Sequence, residues 1–182
     1  MSESAALTHQ RRFPVGAELA VGGGVHFRVW APCRQSVEVE FQIPDRGAVV
    51  QLQREQTGYH SGLVGEARAG DLYRFRLDGA ESFPDPVSRF QPQGPHGPSE
   101  IIDPSQFAWS DQAWQGLKLE GQVIYEMHIG TFTREGTFAA ASRELPELAR
   151  TGVTAIEVMP LADFPGRFGW GYDGVGFFAP VA

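Results

Sequence analysis

The first half of the chain alternates apolar and polar residues with period two. Val25, Phe27 and Val29 fall on one face of a strand whose other face carries His26, Arg28 and Trp30. Val37, Val39 and Phe41 alternate in the same way with Glu38 and Glu40, and Tyr73, Phe75 and Leu77 with Arg74 and Arg76. Strands with one apolar and one charged face need a second sheet to cover the apolar side. Asp78-Gly79, directly after the third strand, is a hairpin-turn signal because both residue types tolerate positive φ. The pattern predicts an immunoglobulin-like β-sandwich over residues 10–104, preceded by a polar stretch, 1–12, expected to fray.

Residues 82–104 are too rich in proline for helix or central strand, and Ile101-Ile102-Asp103-Pro104 is expected to form a last edge strand. Residues 105–119 read as a polar linker in which Trp109 and Trp114 suit the sealing of a domain interface. The periodicity then changes. Val123 to Ile129 is a nearly unbroken apolar run, as a strand buried on both faces requires. Thr137 is placed as an N-cap before Phe138-Ala139-Ala140-Ala141. Pro146 is expected to break or kink that helix and to start a second short one through Arg150, with Gly152 as the C-cap. Val153 to Met159 is the next buried strand. The result is a β-α-β unit of a parallel sheet, the opening of a (β/α)8 barrel over residues 120–182. Two strands and one helical segment cannot cover their own faces. At ~25 cal/mol per Å² of wet apolar surface, the exposed Val, Ile and Met side chains would cost several kcal/mol.

Length sharpens this reading. A sandwich plus a whole barrel of about 250 residues does not fit in 182 residues, so the barrel is expected to be incomplete. The apolar share of 42% fits a folded chain, and the net charge of −7 argues against nucleic acid or an anionic membrane as partner. A lone cysteine, Cys33, allows no internal disulfide and suits a reducing compartment. No membrane span and no secretory signal are read, so a cytoplasmic location is expected. Gly22-Gly23-Gly24 lacks the Gly-Lys-Ser/Thr of a phosphate loop, and no His, Cys, Asp or Glu set has metal-ligand spacing. No cofactor and no metal are expected, and the pattern assigns no oligomeric state.

An ordered set of motifs adds to this. Phe-Arg-Val-Trp-Ala-Pro (27–32) is followed by Pro-Asp-Pro (84–86) and by Tyr-Glu-Met-His-Ile-Gly-Thr-Phe (125–132) with Gly-Thr-Phe (136–138). Glu-Val-Met-Pro-Leu (157–161) and Trp-Gly-Tyr-Asp-Gly (170–174) complete it. The set resembles the N-terminal part of α-amylase-family glycoside hydrolases that carry a leading carbohydrate-binding-type sandwich. Within that family it is most similar to malto-oligosyltrehalose trehalohydrolases, which also share the start Arg-Phe-Pro-Val-Gly-Ala (12–17). The resemblance implies retaining cleavage, by two carboxylates, of the α-1,4 bond next to the trehalose end of malto-oligosyltrehalose. It places those carboxylates after later barrel strands. The chain is therefore expected to contain no catalytic residue and to be inactive alone. Glu126 and Glu157 lie in strands, and Asp163 and Asp173 in the loop beyond the second strand.

The resemblance also implies that Tyr172 stacks its ring on the glucose being cleaved, with Trp170 and Asp173 as neighbours, the substrate being a malto-oligosaccharide or malto-oligosyltrehalose. Each residue has a plainer reading. Tyr172 could pack the loop, Trp170 could be wall, Asp173 could cap the loop, and His128 at the first strand's end could be structural. Trp30 reads as core or inter-domain packing, and Tyr59 as a surface aromatic able to join a stacking platform. Two rivals stay open: a glycogen-branching or debranching enzyme of the same family, and a glucan-binding module without catalysis.

Overall fold

The computed structural model describes residues 10–42 and 48–181. The chain is mostly β with few helices and forms two compact units. The first unit runs through Pro104 and includes Ala162–Pro165 and the stretch from Val175 onward. The second comprises Ser105–Leu161 and Gly166–Gly174.

The first unit is built from β1 (Gly16–Leu19), β2 (Val25–Trp30), β3 (Val37–Phe41), β4 (Val49–Gln51), β5 (Gln53–Arg54), β6 (Tyr59–Val64), β7 (Leu72–Leu77), β8 (Ser82–Phe83) and β9 (Ser99–Glu100). One antiparallel sheet has the order β1-β2-β6-β5. The other has the order β4-β3-β7-β8, with β9 also on β7. Alternation makes this possible: Val25, Phe27 and Val29 of one sheet and Val37, Val39, Phe41, Tyr73 and Phe75 of the other share one buried core. Phe27 lies at its centre, edge-on to Tyr73 at 5.0 Å, Phe41 at 5.9 Å and Phe75 at 6.4 Å between ring centroids. Asp78 and Gly79 take φ of 52° and 69°, the turn that their sequence announces between β7 and β8. Gly24 is required where it stands: its φ is +78° and a Cβ would lie 2.6 Å from the Val64 carbonyl oxygen.

Outside the core, Arg28 donates to both carboxylate oxygens of Glu55 at 2.8 Å while its guanidinium covers the Tyr59 ring at 3.6 Å. The hydrogen bond from Arg28 is the main reason that the Glu55 carboxyl falls from its ordinary 4.5 to about 2. A carboxyl depressed on folding adds stability above its unfolded pKa and loses it as pH falls through the folded value. Wild type is therefore expected to exceed Glu55→Gln in stability by on the order of 1 kcal/mol at neutral pH. That difference should vanish between pH 4.5 and about 2. Urea midpoints of both proteins across this range check it, and parallel pH curves would reject the pair as a source of acid sensitivity.

The second unit starts from β10 (Ile124–Met127), followed by the single turn α1 (Ile129–Phe132), α2 (Phe138–Arg150) and β11 (Ala155–Val158). β10 and β11 pair in parallel from Ile124↔Ala155 to Met127↔Val158. Thr137 caps α2 by accepting from the Ala140 N–H at 3.2 Å. A small core of Met127, Ile129 and Ala141 is packed by Phe132, Leu148, Ile156 and Leu161, while Val123, Ile124 and Val158 stay exposed. A hairpin of β12 (Ala162–Asp163) and β13 (Gly176–Pro180) belongs to the first unit and brackets the aromatic stretch in the sequence.

Several expectations need correction. α2 runs unbroken through Pro146. Proline removes one N–H, and the turn beyond it is closed by Thr151 N–H to Glu147 and Leu148 carbonyls and by Gly152 at φ +99°. The edge strand is Ser99–Glu100, one step ahead of Ile101-Ile102, because Tyr73 and Leu72 take Ser99 and Glu100 as ladder partners. The loop expected from 168 to 180 ends in a strand, β13. The first strand of the second unit stops at Met127, since Ile129 begins a helical turn. Trp30 is 61% exposed, so it is no core residue. Of the stretch expected to fray, residues 1–9 lie outside the described residues, but Arg11 is fastened: it donates to the carbonyls of Phe13, His26 and Gly16.

Candidate functional site

The second unit carries a loop, residues 166–174, that follows its second strand and holds all three sequence-derived site residues. Two local features fix its course. The His128 ring, at the end of β10, meets the Gly169 carbonyl oxygen with its Nε2 at 2.9 Å. A carbonyl only accepts, so Nε2 is the donor in this bond. Two residues on, Gly171 takes φ +88° and packs so closely on Pro160 that a Cβ would lie 3.0 Å from its carbonyl oxygen. No other residue type fits there without strain. Trp170 sits between these two fixed points and Tyr172 follows the second.

The side chains so placed face solvent. Trp170 is 80% exposed, Tyr172 72% and Phe168 85%, and Asp173 is exposed beside Tyr172. The Arg167 guanidinium lies 5.3 Å from the Phe168 ring centroid. Large aromatic faces held in water by a fixed backbone suit stacking on the C–H face of a pyranose, and an adjacent carboxylate suits its hydroxyls. The structure thus brings Trp170, Tyr172 and Asp173 onto one clamped loop. Sequence reasoning did not pick out Phe168 or the clamp. The signal for the clamp was there in part: an imidazole at the end of a buried strand has polar nitrogens that need partners.

The hairpin that brackets this stretch contains a buried acid. Asp163 is buried with its Oδ2 unpaired, and burial pushes its pKa up. The Val175 N–H donates to its carbonyl at 2.8 Å, closing the hairpin. Two other aromatic candidates are less available. Tyr59 has one face covered by Arg28, and Trp109, though exposed, has Phe107 edge-on at 4.7 Å. A cavity of about 270 Å³ in the first unit is lined by Phe41, Val50, Leu63, Val64 and Ala67 and contains none of the loop residues. Among the described residues, no group of three or more His, Cys, Asp or Glu could hold a metal ion, and no helix is long and apolar enough to cross a membrane.

No protein-family model matches the chain. Individual proteins do. A malto-oligosyltrehalose trehalohydrolase from Rhizobium sp. (strain M-11) is 51% identical over 175 residues, 91% of this chain and 28% of the relative. The enzyme of the same name from Saccharolobus solfataricus is 47% identical over 156 residues, 86% of this chain and 27% of the relative. By sequence, the chain is a homologue of malto-oligosyltrehalose trehalohydrolases. It spans little more than a quarter of the length of these curated relatives. Among solved structures, a Salmonella typhimurium protein assigned as an alpha amylase superposes with a TM-score of 0.86 at 43% identity, over 93% of this chain and 28% of that one. Similarity to the trehalohydrolases at this level extends over both units and not over the two-sheet unit alone.

Proposed function

We propose that this chain contributes the N-terminal part of a glycoside hydrolase that cleaves the α-1,4-glucosidic bond next to the trehalose end of malto-oligosyltrehalose and releases trehalose. In this reading the first unit is an immunoglobulin-like sandwich and the second is the opening β-α-β of a (β/α)8 barrel. The loop at the C-terminal end of a barrel strand is where such folds place substrate groups. Tyr172 stacks on a glucose ring of the malto-oligosaccharide, Trp170 extends the aromatic surface and Asp173 bonds sugar hydroxyls. The observation that carries the reading is the 51% identity to a trehalohydrolase over 91% of the chain.

The test uses the gene product that carries this sequence. Trehalose release from malto-oligosyltrehalose is expected, and a preference for branching or debranching amylopectin would overturn the assignment. Tyr172→Ala should raise KM for malto-oligosyltrehalose at least about tenfold, equivalent to about 1.4 kcal/mol of binding. Its Tm should hold, because the ring is 72% exposed. An unchanged KM would remove Tyr172 from the sugar site.

A further inference from the structure

The aromatic loop is exposed on its side chains yet held by its backbone, and the geometry of that hold singles out one residue. His128 is anchored first: its carbonyl accepts from the Thr131 N–H at 3.1 Å and the Phe132 N–H at 2.9 Å, so the residue is fixed where β10 passes into α1. Its ring then reaches 41 residues along the chain to the Gly169 carbonyl at 2.9 Å. The bond is to backbone, immediately before Trp170. The ring lies across Gly130, where a Cβ would stand 3.1 Å from the imidazole Cε1. A side chain at position 130 would require the ring to give by a few tenths of an ångström. The remaining nitrogen, Nδ1, is buried with no hydrogen-bond partner. The bond to the Gly169 carbonyl is thus the one hydrogen bond the ring makes among the described residues, and it orients the ring.

We infer that His128 is a positioning residue for sugar binding: its Nε2–H, donated to the Gly169 carbonyl, sets where Trp170 and Tyr172 present their rings. The inference rests on the proposed sugar-binding role of the loop, but its mechanical half stands apart from that role. A stacking surface gains affinity when its rings are fixed before the ligand arrives, since less freedom is lost on binding. Two fixed points two residues apart, Gly169 and Gly171, leave the intervening Trp170 few backbone conformations. Removing one of them frees the loop while leaving the ladder between β10 and β11, which His128 does not join, in place.

The experiment uses the full chain in three forms: wild type, His128→Phe, which keeps a ring without a donor, and His128→Gln, whose amide N–H can replace it. Long-range ¹⁵N–¹H spectra of the His128 ring should show a proton on Nε2 in the wild type; a ring bare at Nε2 would overturn the inference. Amide exchange at residues 168–172 should speed up at least tenfold in His128→Phe and return toward wild type in His128→Gln, with β10 and β11 amides unchanged. Equal loop exchange in all three forms overturns it. The second arm titrates maltotetraose by calorimetry, with Tyr172→Ala alongside. Weakening of about tenfold in His128→Phe, restored in His128→Gln, is expected. If Tyr172→Ala binds as wild type does, the sugar-binding reading of the loop falls, whatever the exchange data say of the clamp. If Tyr172→Ala weakens binding and His128→Phe does not, the positioning role falls and the reading of the loop survives.

Discussion

Phe27→Ala is expected to destabilise the first unit by about 3–5 kcal/mol, the range for deleting a large aromatic ring from a tight core. The ring is fully buried and meets three others edge-on, so the substitution removes a hub and not a peripheral contact. Each edge-to-face pair adds about 0.5–1.5 kcal/mol beyond area alone. Relaxation into the hole is limited, because Tyr73 is tied at its hydroxyl and Phe41 and Phe75 are set by the β3–β7 ladder. Phe27→Leu should lose roughly half as much, since it refills most of the volume while still breaking the aromatic geometry. Urea unfolding followed by far-UV circular dichroism gives both values. A loss below about 1 kcal/mol for the alanine variant would show that the two sheets do not depend on this ring.

Much of the two-sheet unit is legible because its inward positions are apolar at every second residue. β2, β3 and β7 each read this way and each is a strand. β6 escapes because its inward positions are filled otherwise. His60 is fully buried there, and Gly62 meets Leu52 where a larger side chain would sit. An alternation that includes histidine and glycine carries no apolar period. β1 is likewise silent in sequence, since it is held by its ladder to β2 and by Arg11, whose bonds run to carbonyls 2 to 15 residues away. Such long-range side-chain bonds are set by the fold and leave no local period.

In the second unit the same limits separate what is readable from what is not. The Thr137 cap and the Gly152 stop are local chemistry and stand where the residues put them, whereas β10 and β11 form inside their apolar runs but are shorter than those runs and largely exposed. Pro146 misleads, because a helix tolerates one missing bond when neighbouring turns hold it. The site residues Tyr172, Trp170 and Asp173 are recognisable only through motif resemblance; nothing in their spacing announces a sugar. The clamp beneath them depends on a contact between positions 128 and 169, which no window along the chain brings together.

The second large effect is expected at Asp85, the middle of the Pro-Asp-Pro segment. Its carboxylate is buried in the first unit, where Oδ2 accepts from the Tyr73 hydroxyl at 2.6 Å and Oδ1 from the Val87 N–H at 2.9 Å. Asp85→Ala leaves both donors without an acceptor, one of them on a fully buried ring. At about 1–3 kcal/mol for each orphaned buried group, a loss of about 2–4 kcal/mol is expected. Tyr73→Phe removes one donor with its acceptor still present and should lose less. The double variant should fall short of the sum of the two, because the shared bond is counted twice. pH separates charge from hydrogen bonding. Burial pushes the Asp85 pKa above its ordinary 3.8, and it outweighs the hydrogen bonds and the nearby Arg11 and Arg89, which pull it down. A carboxyl raised on folding contributes stability that is full below its unfolded pKa and lost as pH rises through the folded value. Asp85→Asn keeps one acceptor and cannot ionise, so the advantage of wild type over it should grow as pH falls toward 3.8. This is opposite in sign to Glu55, whose advantage disappears over a lower range. Urea midpoints of the two pairs at matched pH distinguish them, and an Asp85→Asn difference that shrinks on acidification would show that the arginines, not burial, govern this carboxylate.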